Sequence, residues 1–118
     1  MAKYEKIIKV VAVGKMRDRL FESRCQEFLT RLGAYVVALT EEGKEFSTKE
    51  FSEQLGKTDC KIVFIIGGPF GIAEEVKQRA NMMMALSRMT FTHEMARMIF
   101  LEQLYRALNL LNGGAYHH

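Results

Sequence analysis

The stretch CKIVFIIGGPFG, residues 60–71, constrains the fold of this chain more than any other. Residues 62–66 are apolar and mostly β-branched or aromatic, and they run directly into Gly67 and Gly68. This pattern predicts a buried strand that ends in a tight loop. In a parallel sheet, ligands bind where the carboxyl ends of strands open into such loops, because glycines let a ligand approach the backbone. We therefore predict that this loop is one wall of a small-molecule site.

Apolar segments and helical periodicities alternate along the rest of the chain. The predicted strands are residues 7–13, 36–40, 62–66 and 83–86, and the predicted helices are residues 17–32, 48–55, 73–80 and 94–111. Gly33 and Gly56 are expected to end the first two helices. Strands that alternate with helices predict an α/β fold, with a mostly parallel sheet flanked by helices.

Two helices carry further signals. Ser47 and Glu50 have the spacing of a capping box, and Phe46 and Phe51 have that of a hydrophobic staple, so a helix should begin there. The final helix, Glu94 to Leu111, is apolar around nearly its whole circumference. Because such a helix cannot leave one side in water, we predict that it also packs against a second chain.

The composition indicates a single domain, residues 1–118. Of the 118 residues 48% are hydrophobic, and the net charge of +3 is only a weak indication of an anionic partner. The apolar runs are shorter than the roughly 18 residues of a membrane span, and the N-terminus lacks a signal-peptide pattern. We therefore expect a cytoplasmic protein that does not enter a membrane. Cys25 and Cys60 are expected to be reduced and buried, without a chemical role.

Three predicted strand exits have the composition of ligand-binding turns. They are Leu39 to Gly43, Gly67 to Gly71, and Ser87 to Thr92. The glycine loop matches neither a phosphate loop nor a dinucleotide fingerprint, so its functional interpretation requires the other two loops to converge on it. Glu41 and Glu42 are interpreted as solvated turn residues.

The remaining reactive side chains form no recognisable catalytic group. His93, His117 and His118 lack the spacing of metal ligands, so no metal site is expected. No Ser/His/Asp or Cys/His arrangement is visible, which leaves a hydrolase unsupported. A reactive cofactor that backbone groups position against a nucleophile fits the three loops better.

Several blocks of the sequence are distinctive in combination. They are VVALTEEGKEFS (36–47), VFIIGGPFG (63–71), LSRMTFTHEMARMIFLEQLYRA (86–107) and AYHH (115–118), with KIIKVVAVGKMRD near the N-terminus. Together they closely resemble the ribosomal large subunit RNA pseudouridine methyltransferase H family, of the SPOUT class of S-adenosylmethionine-dependent methyltransferases. The resemblance covers most of the chain.

This resemblance implies a more specific fold and function. The fold would be one SPOUT-like domain with a C-terminal trefoil knot, an exception to the rule that chains do not thread loops. The protein would form a homodimer through the C-terminal helix, Glu94 to Leu111. With S-adenosylmethionine as cofactor, it would methylate N3 of a pseudouridine in helix 69 of large-subunit ribosomal RNA, on the assembled ribosome.

The resemblance also implies which residues form the site. Arg106, Tyr116 and His117 are the catalytic candidates, the two tail residues acting across the dimer, because methylation at N3 requires removal of a proton. Arg106 has an alternative role as the ion-pair partner of Glu102, four residues earlier. The implied cofactor contacts are Leu39, Gly67, Gly68, Ser87, Arg88, Met89, Thr90, Phe91 and Thr92.

The sequence departs from the family in two places. Relatives usually have a further strand and helix where Tyr35 here adjoins Val36, and usually have proline at the position of Thr92. Two alternative functions stay open. The cofactor motifs alone do not exclude a knotted methyltransferase acting on transfer RNA or another ribosomal RNA site, and the missing segment leaves a catalytically impaired relative that binds ribosomes.

Overall fold

Strands and helices alternate along the chain, as its sequence predicts. The computed structural model describes residues 8–12, 27, 30–31, 33–68 and 71–114. Within these ranges the elements are strands β1 (Ile8–Ala12), β2 (Tyr35–Glu45), β3 (Ile62–Ile66) and β4 (Met82–Ala85), and helices α1 (Thr48–Lys57), α2 (Glu74–Arg79) and α3 (His93–Leu111). Most predicted bounds differ from these by one residue.

The four strands form one parallel sheet in the order β1-β3-β2-β4. All five residues of β3 are buried, which confirms the buried strand predicted from residues 62–66. Because successive side chains of a strand point to opposite faces, β3 contributes to two cores. Ile62, Phe64 and Ile66 pack in one core with residues of α1 and α3, while Val63 and Ile65 pack in the other with Val76 of α2. Helices therefore cover both faces of the sheet.

The strand β2 is longer than predicted. It was expected to end at Thr40 with a turn at residues 41–43, but it continues to Glu45. Its pairing with β4 shifts between Leu39 and Lys44, so the residues between them form a bulge rather than the end of the strand. A Cβ atom on Gly43 would lie 2.5 Å from the backbone nitrogen of Met84, so glycine is required where the bulge returns to β4.

The start of α1 was predicted correctly and its end was not. The Glu50 backbone N–H donates to the Ser47 hydroxyl at 3.1 Å, and the Ser47 backbone N–H donates to the Glu50 carboxylate at 2.8 Å. The hydrogen bond from the Ser47 backbone N–H lowers the pKa of the Glu50 carboxyl most, and the bond with the Ser47 side chain lowers it further. Gly56 lies inside the helix instead of ending it. A Cβ atom there would lie 2.9 Å from Leu111 Cδ1, so this glycine allows close packing against α3.

The helix α3 packs along α1 through one face. Phe100, Leu104 and Ala107 are buried, and the Ser52 hydroxyl of α1 donates to the Ala107 carbonyl at 2.9 Å. The Thr92 hydroxyl caps the helix by accepting from the Met95 N–H at 3.3 Å. None of the helices in the described ranges is long and apolar enough to cross a membrane.

Other expectations fall partly outside the described residues. Of the predicted helix 17–32, Glu27, Thr30 and Arg31 are helical. Gly33, at φ 66°, donates to the Thr30 carbonyl at 3.1 Å, which confirms it as the end of that helix. Cys60 is exposed, so its predicted burial is wrong, because it lies in the connection before β3 rather than within the strand. Cys25 lies outside the described residues.

Candidate functional site

The three predicted loops meet at the carboxyl edge of the sheet. They line one cavity of about 720 Å³, a size within the range of small-molecule sites. The parallel sheet explains this convergence, because β2, β3 and β4 all direct their carboxyl ends to the same edge. The predicted cofactor residues that line the cavity are Leu39, Gly67, Gly68, Ser87, Met89, Thr90, Phe91 and Thr92.

Arg88 is the exception among these predicted residues. Its side chain is exposed, and it does not belong to the described lining of the cavity, although both of its chain neighbours do. The structure thus brings together eight of the nine predicted positions. Their role in holding a cofactor stays a prediction.

The glycine loop presents bare backbone to the cavity. A Cβ atom on Gly67 would lie 2.8 Å from the carbonyl carbon of Gly71 and 2.9 Å from Ile72 Cγ1, so only glycine fits. The Gly71 N–H donates to the Gly68 carbonyl at 3.0 Å, and Gly71 has a φ of 77°. Gly67, Gly68 and Gly71 line the cavity, and a ligand can approach the backbone of these three glycines because they carry no side chains.

Hydrogen bonds within the third loop fix its course from β4 to α3. The Ser87 hydroxyl accepts from the Met89 N–H at 3.0 Å, and Thr92 caps α3. Thr92 has a φ of −60°, which is the value that a proline ring would impose. At this position threonine thus keeps the backbone conformation that proline would give and adds a helix cap.

Two glutamates of the β2 bulge link the three walls of the cavity. Glu42 accepts from the Lys77 ammonium of α2 at 2.7 Å, and Glu41 accepts from the Thr90 hydroxyl at 2.9 Å. The bond to Glu42 raises the pKa of Lys77, whose side chain is only 18% exposed. The exposure of both glutamates confirms that they are solvated, but they lie in β2 rather than in a turn, and each also contacts another cavity wall.

Lys77 also lines the cavity and was not predicted to do so. It lies near the end of α2, where a lysine is common because it interacts favourably with the helix dipole. No local pattern distinguished it from such a residue. His93 and Glu94, the first residues of α3, line the cavity as well, with Nε2 of the histidine 3.8 Å from the carboxylate.

The predicted catalytic residues are not assembled at this cavity by the described part of the chain. Arg106 Nε donates to the Glu102 carboxylate at 2.9 Å, which is the alternative pairing expected from their spacing. Ala96, in the cavity wall, precedes Arg106 by ten residues of α3, or about 15 Å along the helix axis. Tyr116 and His117 lie outside the described residues.

Within the ranges that the structure describes, no three His, Cys, Asp or Glu side chains are grouped as metal ligands. The absence of a metal site stays a prediction for the whole chain. The cavity wall combines apolar side chains, bare backbone and a few charged groups. Such a wall suits an organic ligand with polar ends.

Comparison with known proteins identifies the family. Residues 33–117 match the family model described as "Predicted SPOUT methyltransferase". A Dictyoglomus thermophilum protein named ribosomal RNA large subunit methyltransferase H is 32% identical over 151 residues, covering 94% of this chain and 99% of that protein. The chain belongs to the ribosomal RNA large subunit methyltransferase H family. The methyltransferase H relative from Gloeobacter violaceus is 36% identical over 148 residues, covering 94% of this chain and 98% of that protein.

The chain is shorter than its methyltransferase H relatives. The Bacteroides thetaiotaomicron relative is 47% identical over 90 residues, covering 73% of this chain and 57% of that protein, so the chain spans little more than half of it. The alignment with the Dictyoglomus protein extends over 151 residues, more than the 118 of this chain, so that relative has residues without a counterpart here.

The fold also resembles a solved structure. Archaeoglobus fulgidus Nep1, determined bound to S-adenosylhomocysteine, gives a TM-score of 0.51 at 17% identity, covering 70% of this chain and 36% of Nep1. At this identity the likeness concerns the fold alone. It supports the predicted α/β architecture with a parallel sheet.

Proposed function

We propose that this chain transfers a methyl group from S-adenosylmethionine to large-subunit ribosomal RNA. The observation that carries this proposal is the single cavity of about 720 Å³ in which the three predicted loops meet. Membership of the methyltransferase H family supports the same activity. The wall also suits the cofactor, because Ile72, Leu86 and Phe91 offer apolar surface for the adenine ring and Gly67 leaves the backbone open.

The cofactor would supply a methyl group made electrophilic by the positively charged sulfur. The contribution of the chain is to bind and orient it through the backbone of the three loops, and to exclude water with the apolar wall. Capped and hydrogen-bonded loops lose little freedom on binding, so the site is preorganised.

The acceptor that we propose is N3 of a pseudouridine in helix 69, on the assembled ribosome in the cytoplasm. The N3 proton must leave before the nitrogen can accept the methyl group. Arg106, Tyr116 and His117 are the residues proposed to favour the deprotonated base. Because Arg106 is about 15 Å along α3 from the cavity wall of its own chain, it would serve the cavity of a partner chain.

An exposed apolar stripe on α3 supports the homodimer that this arrangement requires. Met95, Met98, Leu101 and Tyr105 are exposed by 46%, 61%, 45% and 58%, and they follow one another at helical spacing. They lie opposite the face that packs on α1, so an apolar surface is left on the outside of the helix. We propose that the same stripe of a second copy covers it, next to a C-terminal trefoil knot within the single domain.

Replacing Met98 and Leu101 together by glutamate is expected to produce a folded monomer. Two carboxylates on each copy would have to be desolvated in the interface, which should weaken association at least ~100-fold. Sedimentation velocity checks the mass, and circular dichroism checks the fold. Lys49 is an exposed residue of α1, and Lys49→Glu changes the net charge by the same amount as the double substitution. This control should leave the dimer intact. A dimer in the double variant would place the interface elsewhere.

Methyl transfer to defined RNA tests the proposed reaction. Radiolabelled S-adenosylmethionine is incubated with the protein and with unmethylated whole ribosomes, free ribosomal RNA or transfer RNA. Label in helix 69 of whole ribosomes is the expected result. Label only in transfer RNA or at another ribosomal site would assign a different substrate, and calorimetric absence of S-adenosylmethionine binding by the folded protein would favour the catalytically impaired relative.

A further inference from the structure

Among the charged residues of the cavity wall, Glu41 stands apart. The charge of Glu42 is balanced by Lys77 at 2.7 Å, and Glu94 extends into solvent, with its side chain 83% exposed. Glu41 is bound by the neutral hydroxyl of Thr90, and within the described ranges no lysine or arginine forms an ion pair with it. Within the described ranges, Glu41 is therefore a cavity carboxylate that a neutral hydroxyl contacts and that no lysine or arginine balances.

The bulge and one hydrogen bond hold this carboxylate at the cavity. Glu41 follows Leu39 by two residues, at the start of the bulge, and the bulge is anchored to β4 through the close approach of Gly43 to Met84. The bond to Thr90 joins the carboxylate to the third loop, 49 residues away in the chain. Its negative charge is thus held at the wall rather than on a freely rotating side chain.

We propose that Glu41 determines the preference of the site for a positively charged sulfonium ligand over the neutral thioether that remains after methyl transfer. This inference rests on the proposed function. S-adenosylmethionine and S-adenosylhomocysteine differ by one methyl group and by the positive charge on sulfur. An unbalanced carboxylate attracts the first and not the second, so it favours cofactor binding and product release.

The size of the preference follows from the exposure of Glu41. Its side chain is accessible to water, so solvent screens its interaction with a charge several ångströms away. We expect a discrimination of about threefold at low salt, decreasing in molar salt where the Debye length is about 3 Å. A residue of this kind adjusts the relative affinities of cofactor and product without being needed for binding.

Calorimetric titration of Glu41→Gln with three ligands tests this inference. Glutamine keeps the size of the side chain and an oxygen that can accept from Thr90, so only the charge is lost. The expected result is about threefold weaker binding of S-adenosylmethionine, a similar loss for sinefungin, which has an ammonium group near the position of the sulfur, and unchanged binding of S-adenosylhomocysteine.

Two controls separate charge from structure. Thr90→Val removes the hydroxyl and keeps the charge, so it should change the affinities for S-adenosylmethionine and S-adenosylhomocysteine by the same factor. Glu53→Gln removes an exposed carboxylate of α1, outside the cavity lining, and should change neither.

The outcomes distinguish this inference from the proposed function. If Glu41→Gln weakens the binding of all three ligands equally, Glu41 supports the structure of the site without selecting for charge. That result would overturn the inference alone. Unchanged binding of all three would do the same. A wild-type protein that binds neither S-adenosylmethionine nor S-adenosylhomocysteine would overturn the proposed function together with the inference.

Discussion

Replacement of Phe100 by alanine is expected to lower the free energy of unfolding by about 3–5 kcal/mol. Phe100 is fully buried, and its ring centroid lies 4.8 Å from that of Phe64 in β3 and 6.1 Å from that of Phe51 in α1. The ring thus joins α3 to both the sheet and the neighbouring helix. Its removal leaves a cavity where three elements meet, and little of the surrounding structure can move to fill it.

Urea denaturation followed by circular dichroism measures this loss. Wild type and variant must be compared at one protein concentration, because dimerisation would make the apparent stability depend on concentration. Phe91→Ala removes the same side chain from an exposed loop position and should cost less than about 1 kcal/mol. A loss below about 1 kcal/mol for Phe100→Ala would show that the three aromatic rings do not form the centre of the core.

The parts of the fold that were predicted correctly have local signals. The run of apolar residues in β3 shows burial on both faces, and the capping box of α1 lies within four consecutive residues. Gly43 and Gly56 were misinterpreted because glycine has the same local signature in a turn, at a helix end and at a close tertiary contact. In this fold the contacts of Gly43 with Met84 and of Gly56 with Leu111 are tertiary.

Part of the candidate site could likewise be predicted from the sequence, and part depends on tertiary contacts. The convergence of the three loops could be predicted, since a parallel sheet brings strand carboxyl ends to one edge whatever the side chains are. The bonds between the walls could not be predicted. Lys77 is 35 residues from Glu42, and Thr90 is 49 residues from Glu41, so neither pair has a sequence signature. Their partners are set by the shift in β2 pairing, which the sequence does not reveal.

Substituting valine for Gly67 is expected to lower the affinity for S-adenosylmethionine about a hundredfold or more, with a loss of about 1–3 kcal/mol in the free energy of unfolding. The Cβ atom alone would lie 2.8 Å from the Gly71 carbonyl carbon, and this neighbour is backbone, not the end of a flexible side chain. The loop must therefore open, which moves the backbone that faces the cavity. Calorimetric titration measures the affinity.

Gly33→Val is the matched control for this loss of affinity. Gly33 has a φ of 66°, which a β-branched residue adopts only with strain, yet no atom lies within 4 Å of a Cβ there. It lies before β2, at the sheet edge opposite the cavity, so this variant should lose a comparable amount of stability and keep its affinity. If both variants lose affinity equally, reduced stability accounts for the effect. If Gly67→Val binds as tightly as wild type, the cofactor does not contact the glycine loop. That result would contradict the proposal that the cofactor binds in this cavity.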